Sequence, residues 1–213
     1  MDIVFVTNNK NKLSEIKNLV SSDYNILSLK DINFNEEIEE TKDKVMVLLP
    51  GSRRGEVNRL LKVFGKTAIS LSKKYPDLTI IIPVIEPLLE AISEVVKHWP
   101  VDVRVVAGDK EKFDSFAAAN VALAASGTVA LELAMAGTPA VIGYKVHPVS
   151  AWFAKRLIKT PYANLINIIL NREVVPEFIQ ESCQPSLLQK ALAVLLDDKD
   201  AGLEQIKAAT EGN

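Results

Sequence analysis

The feature that most constrains the fold is an alternation of short apolar runs with segments whose apolar residues recur at helical spacing. The runs at residues 45–49, 78–84, 101–106, 121–125 and 139–146 are predicted strands. Because they are apolar almost throughout, both faces of each strand are expected to be covered. The alternation therefore predicts an α/β fold, a Rossmann-like parallel sheet with helices on both faces.

Composition excludes several classes of function. The 213-residue chain has a formal net charge of −2, which gives no electrostatic support to nucleic-acid binding. Cys183 is the only cysteine, so an internal disulfide and a multi-cysteine metal site are excluded. With no recognisable signal peptide and no apolar run of membrane-spanning length, we expect a cytoplasmic protein or one that contacts a membrane from the cytosolic side.

The loop formed by Ser126, Gly127 and Thr128 joins a predicted strand to a predicted helix. A small-residue turn before a helix leaves backbone N–H groups unpaired, and these donors, the helix dipole and two hydroxyls suit a phosphate or diphosphate. Glu132 follows about one turn later, where its carboxylate can reach the hydroxyls of an attached sugar. Ser and Thr are also ordinary helix caps, so this loop alone leaves both interpretations open.

A second loop, Gly51-Ser52-Arg53, follows the strand predicted at residues 45–49. In parallel sheets, ligands bind at the carboxyl ends of the strands. Both loops follow strands, so both are expected at that edge. Two phosphate-suited loops on one edge favour a phosphate-binding site over two unrelated helix caps.

The first forty or so residues have a different character. A predicted strand at residues 3–6 leads into a Thr-x-Asn-x-x-Lys loop, and an acidic segment follows at residues 36–41. This opening resembles the Ham1-type inosine triphosphate pyrophosphatases, in which such a loop holds the triphosphate and such a segment supplies a metal-binding carboxylate. Residues 1–43 are therefore predicted to be a Ham1-like strand–helix remnant, and residues 44–213 a separate nucleotide-sugar domain.

From residue 45 to about residue 196 the motifs and their order resemble those of the lipid-A-disaccharide synthases. Among the matching motifs are Leu48-Leu49-Pro50-Gly51-Ser52-Arg53, Ala125-Ser126-Gly127-Thr128-Val129-Ala130-Leu131-Glu132, and Val174-Val175-Pro176-Glu177-Phe178. The resemblance implies the C-terminal half of a GT-B glycosyltransferase. It also implies a reaction at the cytosolic face of the bacterial inner membrane, which joins UDP-2,3-diacylglucosamine to 2,3-diacylglucosamine 1-phosphate and releases UDP.

The resemblance and the character of the loops agree on the site residues. Those expected to hold the diphosphate are Gly51, Ser52, Arg53, Ser126, Gly127 and Thr128. Glu132 is expected to hold the ribose, and Arg53 is the predicted catalytic residue because it would offset the charge on the departing UDP. Asn167, Glu177 and Gln180 are expected to shape the sugar side, in segments predicted to be irregular. No cofactor or metal is expected, because an arginine and a helix terminus take that role.

The expected partners are a UDP-sugar lipid donor, an acylated glucosamine phosphate acceptor and a membrane surface. The membrane contact is assigned to residues 149–159, where aromatic and apolar residues alternate with basic ones. The same pattern also suits a helix packed at a domain interface, which stays open as an alternative.

In the family that it resembles, the acceptor domain with its general-base carboxylate would precede residue 45. None of its motifs is found there, so the chain is expected to be incomplete as an enzyme. Two other interpretations therefore stay open. The chain could be a non-catalytic UDP-binding remnant, or a fragment of a nucleoside triphosphate pyrophosphatase that lacks the catalytic aspartate.

Overall fold

The computed structural model describes residues 2–4, 25–27, 44–125, 129–145 and 161–210. The chain divides into two compact units, Met1–Thr41 and Lys42–Asn213. In the first unit, strand β1 (Asp2–Val4) pairs in parallel with strand β2 (Asn25–Leu27). The strand predicted at residues 3–6 overlaps β1, whereas the Ham1-like loop and the acidic segment lie outside the described residues.

Six strands of the second unit form one sheet. They are β3 (Lys44–Leu49), β4 (Leu78–Val84), β5 (Val103–Ala107), β6 (Val121–Ala124), β7 (Ala140–Tyr144) and β8 (Glu177–Ile179). Their order across the sheet is β5-β4-β3-β6-β7-β8, and the neighbouring strands are parallel. The chain builds outwards from β3 to β5, returns to the middle, and builds outwards again from β6 to β8. This is the doubly wound Rossmann order, which confirms the predicted fold class.

Helices cover both faces of this sheet. They are α1 (Arg54–Lys74), α2 (Glu86–Val96), α3 (Asp109–Ala118), α4 (Val129–Met135), α5 (Leu165–Leu170), α6 (Pro185–Asp197) and α7 (Lys199–Thr210). Met46 and Leu48 of β3 pack into the core that holds α1, α2 and α6. Val47 and Leu49 point the other way, into the core that holds α3, α4 and α5. The apolar character of the strands therefore has the predicted cause, which is burial on both faces.

Two segments predicted to be irregular are regular, so that prediction was wrong. Residues 165–170 form α5, which starts where the Asn164 side chain accepts a hydrogen bond from Ile166 N at 2.9 Å and ends at Asn171 in the left-handed region (φ 48°). Residues 177–179 form β8, which pairs with β7. A three-residue strand carries little local signal, because its stability comes from pairing with an edge that lies far away in sequence.

Buried polar side chains tie the later helices to the sheet. Gln205 of α7 is buried and bonds both backbone groups of Ala140, accepting from its N at 2.6 Å and donating to its O at 3.0 Å. At the start of β3, Lys44 Nζ donates to Leu196 O at 2.8 Å, near the end of α6. The Asp197 carboxylate accepts hydrogen bonds from Lys74 and Tyr75 at the end of α1, at 2.6 and 2.8 Å.

Among the helices that the structure describes, none is long and apolar enough to cross a membrane. The segment at residues 149–159, to which the sequence assigns a membrane contact, lies outside the described residues. Cys183 is buried, and its burial raises the pKa of the thiol.

Candidate functional site

The centre of the sheet is the point at which a doubly wound fold leaves a crevice. β3 and β6 lie side by side there, with Leu49 paired to Ala124, and Ala125 N donates to Leu49 O at 2.8 Å. Beyond these residues the chain leads into helices on opposite faces, because α1 packs on one face and α4 on the other. Two strands whose connections leave in opposite directions open a crevice between them, in which ligands of such folds bind.

A cavity of about 530 Å³ lies at this edge. Residues that follow β3, β4 and β5 line it, together with the first turns of α1 to α4. Pro83, Val84 and Ile85 supply an apolar wall, and Gly51, Ser52 and Glu132 are among the predicted site residues that line it. The volume falls within the range of small-molecule sites, about 300–1,000 Å³, and an apolar wall with a few polar groups is their usual composition.

The loop after β3 has a backbone that requires glycine. Gly51 has φ +106°, and a Cβ at this position would overlap the Glu56 carboxyl group, which folds back over it from the first turn of α1. Ser52 is exposed and lines the cavity. Arg53 is also exposed and is the last extended residue before α1 (φ −100°, ψ 131°), and its carbonyl accepts from Glu56 N and Val57 N.

Arg53 is not among the described residues that line the cavity. The structure therefore places Ser52 at the site and Arg53 on the exposed rim of the same turn. The catalytic role of Arg53 stays a prediction.

Ser126, Gly127 and Thr128 lie outside the described residues. The residues on either side of them, Ala125 and Val129, both line the cavity. Both ends of this loop are therefore at the site, while the roles predicted for its three residues stay predictions.

The charges that line the cavity include a pair that sequence reasoning missed. Glu132 on α4 forms an ion pair with Lys112 on α3. Three further carboxylates, those of Glu56, Glu86 and Asp109, also line the cavity. Among the described lining residues, four carboxylates thus face one ammonium group.

The sequence around Lys112 does not single it out. It lies in a mostly charged segment, Asp109 to Asp114, which is typical of a solvated helix face. The one sequence feature that could have assigned Lys112 to the site is its position soon after β5, at the carboxyl edge of the sheet.

Asn167 and Glu177 are used by the fold itself. Asn167 is fully buried, donates to Val175 O and Glu177 Oε1 at 2.7 and 2.6 Å, and accepts from Val174 N and Val175 N at 2.8 and 2.9 Å. Glu177 Oε2 accepts from Asn164 N at 3.0 Å. These bonds brace the turn between α5 and β8, which explains why an amide and a carboxylate occur there.

Gln180 lies elsewhere, in a groove with Arg59, Lys62, Lys145 and Glu181. It has φ +55°, an uncommon conformation for a residue with a side chain. None of Asn167, Glu177 and Gln180 is among the described residues that line the cavity between β3 and β6. Their predicted contact with the sugar stays a prediction.

Within the described part of the chain, no group of three or more His, Cys, Asp or Glu side chains is arranged to hold a metal ion. The four carboxylates that line the cavity therefore do not form such a group, and one of them, Glu132, is paired with Lys112.

The sequence matches the family model described as lipid-A-disaccharide synthetase over residues 22–211. The lipid-A-disaccharide synthase of Rhodospirillum centenum is 48% identical over 167 residues, which are 78% of this chain and 42% of that protein. That of Paramagnetospirillum magneticum is 45% identical over 168 residues, 78% of this chain and 43% of that protein. The chain thus spans about two fifths of the length of these relatives.

Several solved structures share this fold. MurG of Acinetobacter baumannii has a TM-score of 0.54 at 16% identity, covering 84% of this chain and 48% of that one. The spinosyn rhamnosyltransferase SpnG, complexed with thymidine diphosphate, has a TM-score of 0.56 at 14% identity, covering 80% of this chain and 42% of that one. At such identities the likeness shows the fold alone, the Rossmann-like layer of GT-B glycosyltransferases.

The family match begins at residue 22, within the segment 1–43 that was predicted to be Ham1-like. It therefore covers the second half of that segment as well as the sheet. The sheet carries the loop after β3 and, at Ala125, the start of the loop before α4, and these residues line the cavity. The relatives match most of the chain at more than 40% identity. The chain belongs to the lipid-A-disaccharide synthetase family.

Proposed function

We propose that this chain supplies the UDP-sugar-binding part of a lipid-A-disaccharide synthase, a hexosyltransferase of lipid A biosynthesis. The observation that carries the proposal is the cavity between β3 and β6, at the point where ligands bind in doubly wound folds. The two loops predicted to hold a diphosphate begin or end on its lining residues. Membership of the family supports the choice of a UDP-sugar as the ligand.

The parts of the nucleotide match different parts of the cavity. The diphosphate would lie against the start of α1 and the loop before α4, where backbone N–H groups and helix dipoles favour anions. Ser52 and Arg53 would add a hydroxyl and a guanidinium to those donors. The Glu132 carboxylate would accept from the ribose hydroxyls, which are neutral donors and tolerate an acidic surrounding. The base would rest on the apolar wall formed by Pro83 to Ile85.

In the proposed reaction the 6-hydroxyl oxygen of 2,3-diacylglucosamine 1-phosphate attacks the anomeric carbon of UDP-2,3-diacylglucosamine. A new C–O bond forms as the bond from that carbon to the β-phosphate oxygen breaks, and UDP leaves with the electron pair. The hydroxyl proton passes to a base. Charge grows on the β-phosphate during this step, so the loop N–H groups and Arg53 would stabilise the transition state more than the bound substrate.

Calorimetric titration with UDP tests the proposal. We expect the wild-type chain to bind UDP and Arg53→Ala to bind it about thirtyfold more weakly, since losing a charge-assisted hydrogen bond costs about 2 kcal/mol. Arg54→Ala is the matched control, because Arg54 is the next residue and is also exposed. An equal loss of affinity in both variants would indicate a long-range effect of the removed charge and not a direct contact from Arg53. A wild-type chain that does not bind UDP would refute the proposal.

We further propose that the protein works at the cytosolic face of the inner membrane, since both proposed substrates are lipids. The sequence at residues 149–159 supports this, because Trp152 and Phe153 are followed by Lys155 and Arg156. Co-sedimentation with vesicles rich in anionic lipid is expected for the wild type and weakened for Trp152→Ser/Phe153→Ser. Equal sedimentation of both would contradict the assignment of this segment.

A further inference from the structure

The cavity holds a charged pair whose arrangement goes beyond the proposed function and rests on it. We infer that Lys112 is a positioning residue, which fixes the Glu132 carboxylate in the orientation that recognises the ribose 2′- and 3′-hydroxyls. The chain would thereby prefer a ribonucleotide over the matching 2′-deoxyribonucleotide. The juxtaposition that carries the inference is an ion pair between α3 and α4, on the wall of the cavity.

The pair is shielded from water. The Lys112 side chain is 29% exposed and the Glu132 side chain 33%, so about two thirds of each is buried. Charges in such a place are screened less than surface charges, and their mutual attraction is correspondingly stronger. An ion pair of this kind holds a geometry, whereas an exposed pair exchanges freely with water.

Two aromatic rings restrict the lysine further. Lys112 Nζ lies 5.1 Å from the ring centroid of Phe113 and 5.7 Å from that of Phe116, within the range of cation–π attraction. The two rings meet edge to face, with centroids 5.9 Å apart and an interplanar angle of 81°. Phe116 is fully buried, so it fixes α3 to the core. The ammonium therefore has a defined position from which it orients Glu132.

Without Lys112, the Glu132 carboxylate would be surrounded by charges of its own sign. Glu56, Glu86 and Asp109 line the same cavity. Repulsion from them would turn the Glu132 side chain away from the cavity. In the pair, one carboxylate oxygen meets Lys112, and the other keeps its capacity to accept from a hydroxyl. A side chain oriented in advance also loses less conformational entropy when the nucleotide binds.

Titration of the full chain with UDP and with 2′-deoxy-UDP tests this inference. We expect the wild type to bind UDP about tenfold more tightly than 2′-deoxy-UDP, the usual effect of one hydrogen bond. Lys112→Met keeps the length of the side chain and removes the charge, and it should reduce this ratio to about twofold or less by weakening UDP. Lys112→Arg should retain most of the preference, and Glu132→Gln should lose it.

The matched control is Lys110→Met, two residues away on the same helix, where Lys110 pairs with Asp114 at 2.7 Å and is 83% exposed. It should leave the ratio unchanged. Circular dichroism and melting curves check the fold of each variant, and Lys112→Gln replaces Lys112→Met should the latter unfold.

An unchanged ratio in a folded Lys112→Met variant would overturn the inference, as would equal weakening of both nucleotides, which would indicate a contact with the phosphates. These outcomes differ from failure of the proposed function, in which the wild type binds neither nucleotide.

Discussion

The geometry of the loop after β3 predicts how much the substitution Gly51→Ala destabilises the domain. The new Cβ would have to adopt φ +106°, and it would overlap the Glu56 carboxyl group. Gly137 offers a matched control, because it also has a positive φ, +71°, but a Cβ there meets no atom of the described residues within 4 Å. Both alanines suffer the backbone strain, and only the one at position 51 also displaces a side chain.

The two costs can be estimated separately. A residue with a Cβ in the left-handed region costs about 1–2 kcal/mol, from which the lower entropy of the unfolded chain recovers about 0.4–1 kcal/mol. Gly137→Ala should therefore lose about 1 kcal/mol or less. Displacing Glu56 moves only the free end of a flexible side chain, so it adds mainly a lost interaction with the α1 dipole, about 0.3–1 kcal/mol. Gly51→Ala should therefore lose about 1–2 kcal/mol.

Urea denaturation followed by circular dichroism measures these differences. We expect the midpoint to fall further for Gly51→Ala than for Gly137→Ala. In the background of Glu56→Ala, adding Gly51→Ala should cost about 0.3–1 kcal/mol less than in the wild type, because the overlapping group and its interaction with the dipole are already absent. Equal losses at the two glycines, or additive losses in the double variant, would refute the reasoning.

Three further predictions concern stability. Gly65→Ala should destabilise the domain by about 1–3 kcal/mol, because its Cβ would overlap the Trp99 ring. Gln205→Leu should lose about 2 kcal/mol by leaving the buried backbone of Ala140 unpaired. Hydrogen bonds, first from Lys74 and then from Tyr75, hold the pKa of Asp197 below its ordinary value of 3.8. The folded state thus favours the ionised form, so the advantage of wild type over Asp197→Asn should be complete at neutral pH. That advantage should disappear as the pH falls below 3.8 and through the folded-state pKa. Chemical denaturation, repeated across this pH range for Asp197→Asn, measures all three.

Each of these substitutions has a control in the chain. Gly55→Ala lies on the same helix as Gly65. Among the residues that the structure describes, the atom nearest to its Cβ would be Arg59 Nη1 at 3.5 Å, so the substitution should be neutral or stabilising. Glu204→Ala is exposed beside Gln205, and Asp77→Asn is exposed in the turn before β4. A control as destabilised as its partner, or an Asp197→Asn difference that persists in acid, would contradict the corresponding argument.

The sheet could be predicted because its strands carry their own signal. Residues 45–49 and 121–125 are apolar throughout, and burial on both faces is the physical cause of such runs. The edge of the sheet at which the site lies could also be predicted, because the loops at residues 51–53 and 126–128 both come after strands of a parallel sheet. Strand β8 was not predicted, because its three residues are stabilised by pairing with β7. That pairing is not visible in the sequence near β8.

The contacts of side chains in the site were harder to predict from the sequence than the strands were. Lys112 meets Glu132 across 20 residues of sequence, through two helices whose packing only the fold defines. Asn167 and Glu177 have the residue types of a binding site, yet their polar atoms bond to the backbone around them. A polar residue in a loop serves a ligand or the loop itself, and composition does not distinguish the two.

The bond between Lys44 and Leu196 has a consequence for the order of folding. It joins the first residue of β3 to the end of α6, 152 positions later in the chain. Ribosomes add about 5–20 residues each second, so roughly eight to thirty seconds separate the appearance of the two partners. In the finished fold α6 packs on α1, β6 and β7, so these surfaces stay uncovered until α6 is made. A domain closed by its last helices therefore depends on chaperones during synthesis more than one whose neighbouring segments pair at once.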